Sequence, residues 1–196
     1  MKILIVNNGT KIVHNFTRIL SEHEVDVVRQ TELKSVNTNL FDAIMLSGSS
    51  KYSLELYRHT YSIEEKLIRE TMIPILGICL GFELIIAAYG GIIRRHTERS
   101  IGIKKIILNK SGGLFASLHK PVVYQNHTYR VETVPSDFET LAYSETGIEA
   151  IKHKEKCMYG VQFHPEVYPN RTDGPIILSN FLKIVADHNS LLSKQR

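Results

Sequence analysis

Short apolar runs alternate with longer amphipathic stretches along the first ninety residues. Residues 2–7 (KILIVN) are a run of apolar β-formers that stops at the turn signal NNGT, which predicts a buried strand. In 11–23, Ile12, Val13, Phe16, Ile19 and Leu20 recur at helical spacing. Residues 24–30 (EVDVVRQ) read as a strand, and 41–50 (FDAIMLSGSS) as a strand running into a turn of small residues. Ile63, Leu67 and Ile68 mark one face of a helix over 61–72. Residues 73–79 (IPILGIC) then read as a strand, and 81–91 (GFELIIAAYGG) as a helix closed by paired glycines. This alternation predicts a parallel sheet with right-handed crossovers.

The texture changes near residue 92. Residues 101–109, 122–133, 139–145, 147–153 and 157–167 read as shorter β segments, and 175–189 (PIILSNFLKIVADHN) as a closing helix. No repeat, linker or low-complexity tract interrupts the 196 residues, so one domain over 1–196 is expected. The fold class is α/β: an open, mostly parallel sheet flanked by helices, with a small added β segment.

Composition narrows the function classes. Hydrophobic residues make up 43% and charged residues 22%, the balance of an ordinary globular domain. The net charge of +4 is spread along the chain, and the small clusters at IIRRHTER and KHKEK are interrupted by acids. No basic stripe with interleaved aromatics or nucleic-acid module is present, so nucleic acid is not an expected partner. Two cysteines, Cys79 and Cys157, do not make a disulfide framework, which fits a reducing cytoplasm. The five-residue apolar run at the N-terminus is shorter than a signal-peptide core, and no stretch approaches the roughly 20 apolar residues of a membrane span.

Sites in open α/β sheets lie at the carboxyl ends of the strands. Three stretches qualify: SGSS at 47–50, GICLG at 77–81 and QFHPEV at 162–167. Gly-x-Cys-x-Gly between a strand and a helix has the form of a nucleophile elbow, with glycines clearing space around a strained turn. Cys79 then sits at a helix N-terminus, where free N–H groups and the dipole favour a thiolate. The N–H of Leu80 points where an oxyanion would form. A cysteine nucleophile needs a base and the base needs an orienter. His164 and Glu166, two apart after the strand-like MYGVQF, supply both if the segment is extended. Taken singly, Cys79 also reads as a core cysteine and His164 as a surface or core histidine; their conjunction gives both the catalytic reading.

The opening strand with NNG, the LSG turn, PILGICLG, QNHTYRVETVP and YGVQFHPEV before a final helix together resemble the class I, or triad-type, glutamine amidotransferases. The resemblance covers essentially the whole chain and implies their flavodoxin-like fold. It implies that Cys79 attacks the side-chain amide of glutamine, forms a γ-glutamyl thioester and releases ammonia, with His164 and Glu166 completing the triad. It also implies a separate synthase that receives the ammonia. Within the family the texture is most like the stand-alone glutaminase subunits of archaeal-type GMP synthases, which implies an ATP-pyrophosphatase-type partner making GMP from XMP. No metal or cofactor is implied for this chain itself, ATP and Mg being expected on the partner.

Some positions depart from the family pattern. The usual Ser-Gly-Gly-Pro oxyanion turn is here Ser47-Gly48-Ser49-Ser50, and Ser49 donates its N–H there only if the turn does not require φ > 0. Gly-His-Gln after the elbow is here Gly81-Phe82-Glu83. Glu83 accepts from a substrate amino group but cannot donate an amide hydrogen bond. Asn126, Thr128 and Tyr129 match a substrate-holding segment and equally an ordinary β edge. Two further readings stay open: a γ-glutamyl hydrolase or peptidase of the same superfamily, whose wording CLGFE matches, and a non-catalytic regulatory chain.

Overall fold

The structure, a computed structural model, describes residues 1–51 and 53–194. In chain order its elements are β1 (Lys2–Asn7), α1 (His14–Ile19), β2 (Glu24–Arg29), β3 (Ala43–Leu46), α2 (Leu54–Tyr57), α3 (Ser62–Glu70), β4 (Ile75–Ile78), α4 (Leu80–Ala88), β5 (Ile92–Lys105), β6 (Ile107–Leu108), β7 (Val122–Thr133), β8 (Phe138–Ser144), β9 (Gly147–His153), β10 (Met158–Val161) and α5 (Gly174–Ser193).

The main sheet runs β2-β1-β3-β4-β10-β9-β8-β6, and β5 and β7 form a second, antiparallel pair. The strands from β2 to β10 are parallel to one another, and β9, β8 and β6 extend the sheet antiparallel. Both faces are covered, which is why the central strands read as continuous apolar runs. In β1, Ile3 and Ile5 join a core with Phe16, Ile177 and Phe181, while Leu4 and Val6 join another with Ile68, Phe82 and Ile85. Parallelism gathers the carboxyl ends of β1, β3, β4 and β10 at one edge. Among the described residues no helix is long and apolar enough to cross a membrane.

Several elements depart from the hydrophobic pattern. The expected helix over 11–23 contracts to His14–Ile19, with no side-chain cap at its start. Residues 30–35 form a 3₁₀ turn around buried Leu33, with Glu32 bonded to Arg29. In α3 the buried face is Glu64, Glu65 and Ile68, whereas Ile63 is 39% exposed. Tertiary packing thus turns the helix away from its most apolar stripe. The single strand expected over 101–109 serves two sheets: β5 starts already at Ile92 and ends at Lys105, and β6 begins after buried Ile106, whose N–H donates to Pro121 O.

Candidate active site

Cys79 follows β4 directly and caps α4, with φ 53° and ψ −103°. A non-glycine residue held at positive φ stores on the order of 1–3 kcal/mol of strain, sustained only by surroundings that over-determine it. Those surroundings are visible. Its N–H donates to Val161 O at 2.8 Å, and its carbonyl accepts from Glu83 N at 3.0 Å. A Cβ on Gly77 would lie 2.5 Å from Gly81 O, and one on Gly81 would collide with Leu46 O. The flanking glycines are therefore required by the closeness of strand, turn and helix. Cys79 is only 7% exposed, at the floor of a cleft rather than proud of the surface.

His164 stands three residues beyond β10, and its N–H donates to Tyr124 O at 2.8 Å. Its Nδ1 lies 2.9 Å from Glu166 Oε1, and both side chains are buried. The extended geometry expected for 164–166 is not what joins them. Pro165 and Glu166 lie in a turn, with Val167 N reaching His164 O at 3.3 Å, and the turn folds the carboxylate back onto the ring. With Nδ1 committed to Glu166, Nε2 is the nitrogen left to serve the Cys79 thiol. Burial opposes a charged imidazole, but Glu166 and Cys79 together outweigh it and hold the His164 pKa well above its ordinary value. The charged ring is thus placed between thiol and carboxylate.

The turn after β3 closes the site from the other side. Ser47 N donates to Val6 O at 3.0 Å, and Asn8 donates twice to Ser47, from N to Oγ and from Nδ2 to O, each at 3.0 Å. Ser50 Oγ donates to Gly9 O at 3.0 Å. A Cβ on Gly48 would sit 2.9 Å from His164 Cε1 and 3.3 Å from Cys79 Cβ, so the turn presses on the Cys–His pair. Ser49 lines the cleft. The described non-glycine residues at positive φ are Cys79, Ser117 and Tyr168, so Ser49 carries no left-handed strain and the steric objection to it does not arise. Leu80 is the first residue of α4 and also lines the cleft.

The cleft has a volume of about 350 Å³, at the small end of the roughly 300–1,000 Å³ of ligand sites. Glu83, in the first turn of α4, reaches it from below and accepts from Gln162 Nε2 at 3.1 Å. Burial pushes its pKa up to about 7, against the opposing pull of Gln162 and His164. Asn126, Thr128 and Tyr129, on β7, all line the cleft. Asn126 Oδ1 accepts from Arg99 Nε at 2.8 Å, and Tyr129 OH donates to Glu55 Oε2 at 2.8 Å.

Sequence reading missed Lys11, Arg99 and His127, which also line the cleft. Their only signals were a loop lysine, one arginine in a basic cluster and a histidine between two named neighbours. His127 is buried, with Nδ1 bonded to Tyr129 O at 2.9 Å, and burial brings its pKa down to about 4, so it stays neutral. Cys157 is half-buried away from the cleft, and burial raises its pKa to about 11. Among the described residues no group of three or more His, Cys, Asp or Glu side chains is placed to hold a metal ion.

A model of the family described as glutamine amidotransferase class-I matches residues 4–185. The chain is 36% identical over 188 residues to one of the subunits of the glutamine-hydrolyzing GMP synthase of Methanococcus vannielii, covering 93% of this chain and 96% of that one. It is 33% identical over 185 residues to the glutamine-hydrolyzing GMP synthase of Spiroplasma kunkelii, covering 92% of this chain and 35% of that longer protein. The crystal structure of a Thermoplasma acidophilum protein assigned as the corresponding GMP synthase subunit superposes with a TM-score of 0.90 at 28% identity, over 98% of both chains.

Proposed function

Because the chain belongs to the class-I glutamine amidotransferase family, we propose that it is a glutaminase subunit that hydrolyses glutamine and delivers ammonia to a separate synthase chain. The observation that carries this reading is the meeting of Cys79 and His164, from two strand ends, in one cleft, with Glu166 Oε1 bonded to His164 Nδ1.

In this reading Cys79 Sγ attacks the side-chain amide carbon of glutamine. The tetrahedral oxyanion is received by the Leu80 N–H and the Gly48–Ser49 turn. His164 gives a proton to the departing nitrogen, so ammonia leaves and a γ-glutamyl thioester remains. Water, deprotonated by the same imidazole, then releases glutamate and restores the thiol. Glu166 orients the ring and stabilises its charged form. Glu83 receives the substrate's α-amino group, and Asn126, Thr128 and Tyr129 form the wall beside it.

The receiving chain is an ATP-pyrophosphatase-type synthase carrying ATP and Mg, and the acceptor is XMP. The relatives' names support glutamine-dependent GMP synthesis, the word subunit in the Methanococcus name supports a second chain, and the Spiroplasma protein, of which this chain covers only 35%, supports further machinery beyond the glutaminase part. The test is ammonia release from glutamine, with and without the synthase, followed by GMP formation in the mixture. Cleavage of γ-glutamyl peptides without a partner, and without preference for glutamine, would instead favour the hydrolase reading.

A further inference from the structure

A glutamine with its side-chain amide at Cys79 carries an ammonium and a carboxylate at its other end. Glu83 matches the ammonium in the reading above, and the carboxylate calls for a cation. Two cations line the cleft, Lys11 and Arg99. Of these, Arg99 is held by the fold. It lies on β5, whose pairing with β7 is interrupted at this point. Arg95 stands opposite Tyr129 and Ser100 opposite His127, so residues 96–99 of β5 face Thr128 alone on β7. Extra residues on one strand bend it and re-aim its side chains, and such bulges recur beside active sites. Here the bulge brings Arg99 to the cleft beside Asn126, whose Oδ1 accepts from Arg99 Nε at 2.8 Å.

That bond is to a neutral acceptor. Arg58 and Arg69 pair with Glu65, and Arg94 with Glu132, whereas among the described residues no carboxylate pairs with Arg99. With Nε committed to Asn126, both Nη groups remain to donate, and a planar guanidinium matches the two oxygens of a carboxylate. We propose that Arg99 is the α-carboxylate site of the cleft, oriented by Asn126, while Glu83 on α4 takes the α-ammonium. The assignment rests on the glutaminase reading and deepens it by naming the substrate class. The two charges select an amino acid whose α-groups are both free, and glutamine within a peptide presents neither.

The test is ammonia release by the chain, alone and with its synthase. Arg99 is exposed, so its variants keep the wild-type Tm. Arg99→Gln raises KM for glutamine roughly 10-fold with kcat within about twofold, the loss of a charge-assisted bond made equally to substrate and transition state. γ-Aminobutyramide is glutamine without its α-carboxylate and reads the same contact from the ligand. As a competitor of glutamine it has a Ki roughly 10-fold or more above the wild-type KM for glutamine, and that Ki is the same for Arg99→Gln. Arg99→Lys, Arg99→Gln and Arg99→Glu all lose the Nε bond to Asn126, so charge separates them and KM rises in that order.

An unchanged KM in Arg99→Gln would overturn the proposal. So would equal rises in all three variants, or a Ki for γ-aminobutyramide that rises as much as the KM for glutamine, because Arg99 would then only support Asn126. A KM that rises in Lys11→Gln and not in Arg99→Gln would overturn it in favour of Lys11. If γ-aminobutyramide binds too weakly to compete, the charge series decides. All of these outcomes leave the glutaminase reading intact. A wild type that releases no ammonia from glutamine, alone or with a synthase, would take away both readings.

Discussion

The Nδ1 atom of His164 lies 2.9 Å from Oε1 of Glu166, across a turn that contains Pro165. This contact fixes which ring nitrogen faces Cys79 and lets the imidazole carry charge although it is buried. His164→Ala is expected to lower kcat by about 10³-fold or more, because the site then has no proton carrier. Glu166→Gln is expected to cost less, on the order of 10²-fold, because His164 itself remains beside Cys79 to carry the proton. Single-turnover ammonia release from the two variants checks the order, and a greater loss in Glu166→Gln would contradict the assigned roles.

Gly48→Ala separates the needs of chemistry from those of folding. The added methyl would sit 2.9 Å from His164 Cε1, closer than carbon atoms approach, so ring or turn must shift. The expected outcome is a folded protein with kcat lowered roughly 10- to 100-fold, since small misplacements at a reacting pair cost that much. Gly81→Ala strikes the backbone at Leu46 O, where nothing flexible can yield, and is expected to lower Tm by several degrees or prevent folding. Thermal melts of the two variants distinguish the cases.

Glu83→Gln tests the substrate end of the cleft. If Glu83 receives the α-amino group, the amide weakens substrate binding and KM for glutamine rises several-fold while kcat stays within a few-fold. The same KM for glutamine and for a substrate analogue lacking the α-amino group, in both wild type and variant, would remove Glu83 from the binding set.

The parts of the site that were legible in the sequence are those where chemistry and backbone constraint coincide. Gly77, Cys79 and Gly81 announce a turn that only hydrogens fit, and the structure shows the atoms that exclude a Cβ. His164 and Glu166 were legible by residue type, but the turn that joins them was not, because spacing of two suits both a strand and a tight turn. The burial of Glu64 was invisible for a different reason. An acid in the first turn of a helix reads as a solvated, dipole-favoured residue, and only tertiary packing buries it. The same override hid the true buried face of α3 and the early start of β5.

Stability is expected to fall as pH rises from about 6.5 to about 8.5. Glu64 is raised to about 8, and Glu83 and Glu149 to about 7, all chiefly by burial, so the native state holds protons that the unfolded chain has released above about 4.5. Raised His164 acts in the same sense, its contribution being complete below 6.5 and lost as pH climbs through its folded value. His127 and His153, lowered by burial, act oppositely, but only below 6.5 where the unfolded imidazole takes up a proton. Thermal melts should therefore give a lower Tm at the alkaline end of this interval, and Glu64→Gln should shrink the difference. A Tm that rises over the interval would contradict the buried-acid account.

The most direct measurement is mass spectrometry of the chain after incubation with a glutamine-like electrophile, paired with ammonia release from glutamine by wild type, Cys79→Ala and Cys157→Ser in the presence of the synthase. The account predicts a single adduct on Cys79, full turnover by Cys157→Ser, whose native thiol is raised to about 11 by burial, and none by Cys79→Ala. Turnover by Cys79→Ala, or equal labelling of Cys79 and Cys157, would contradict it.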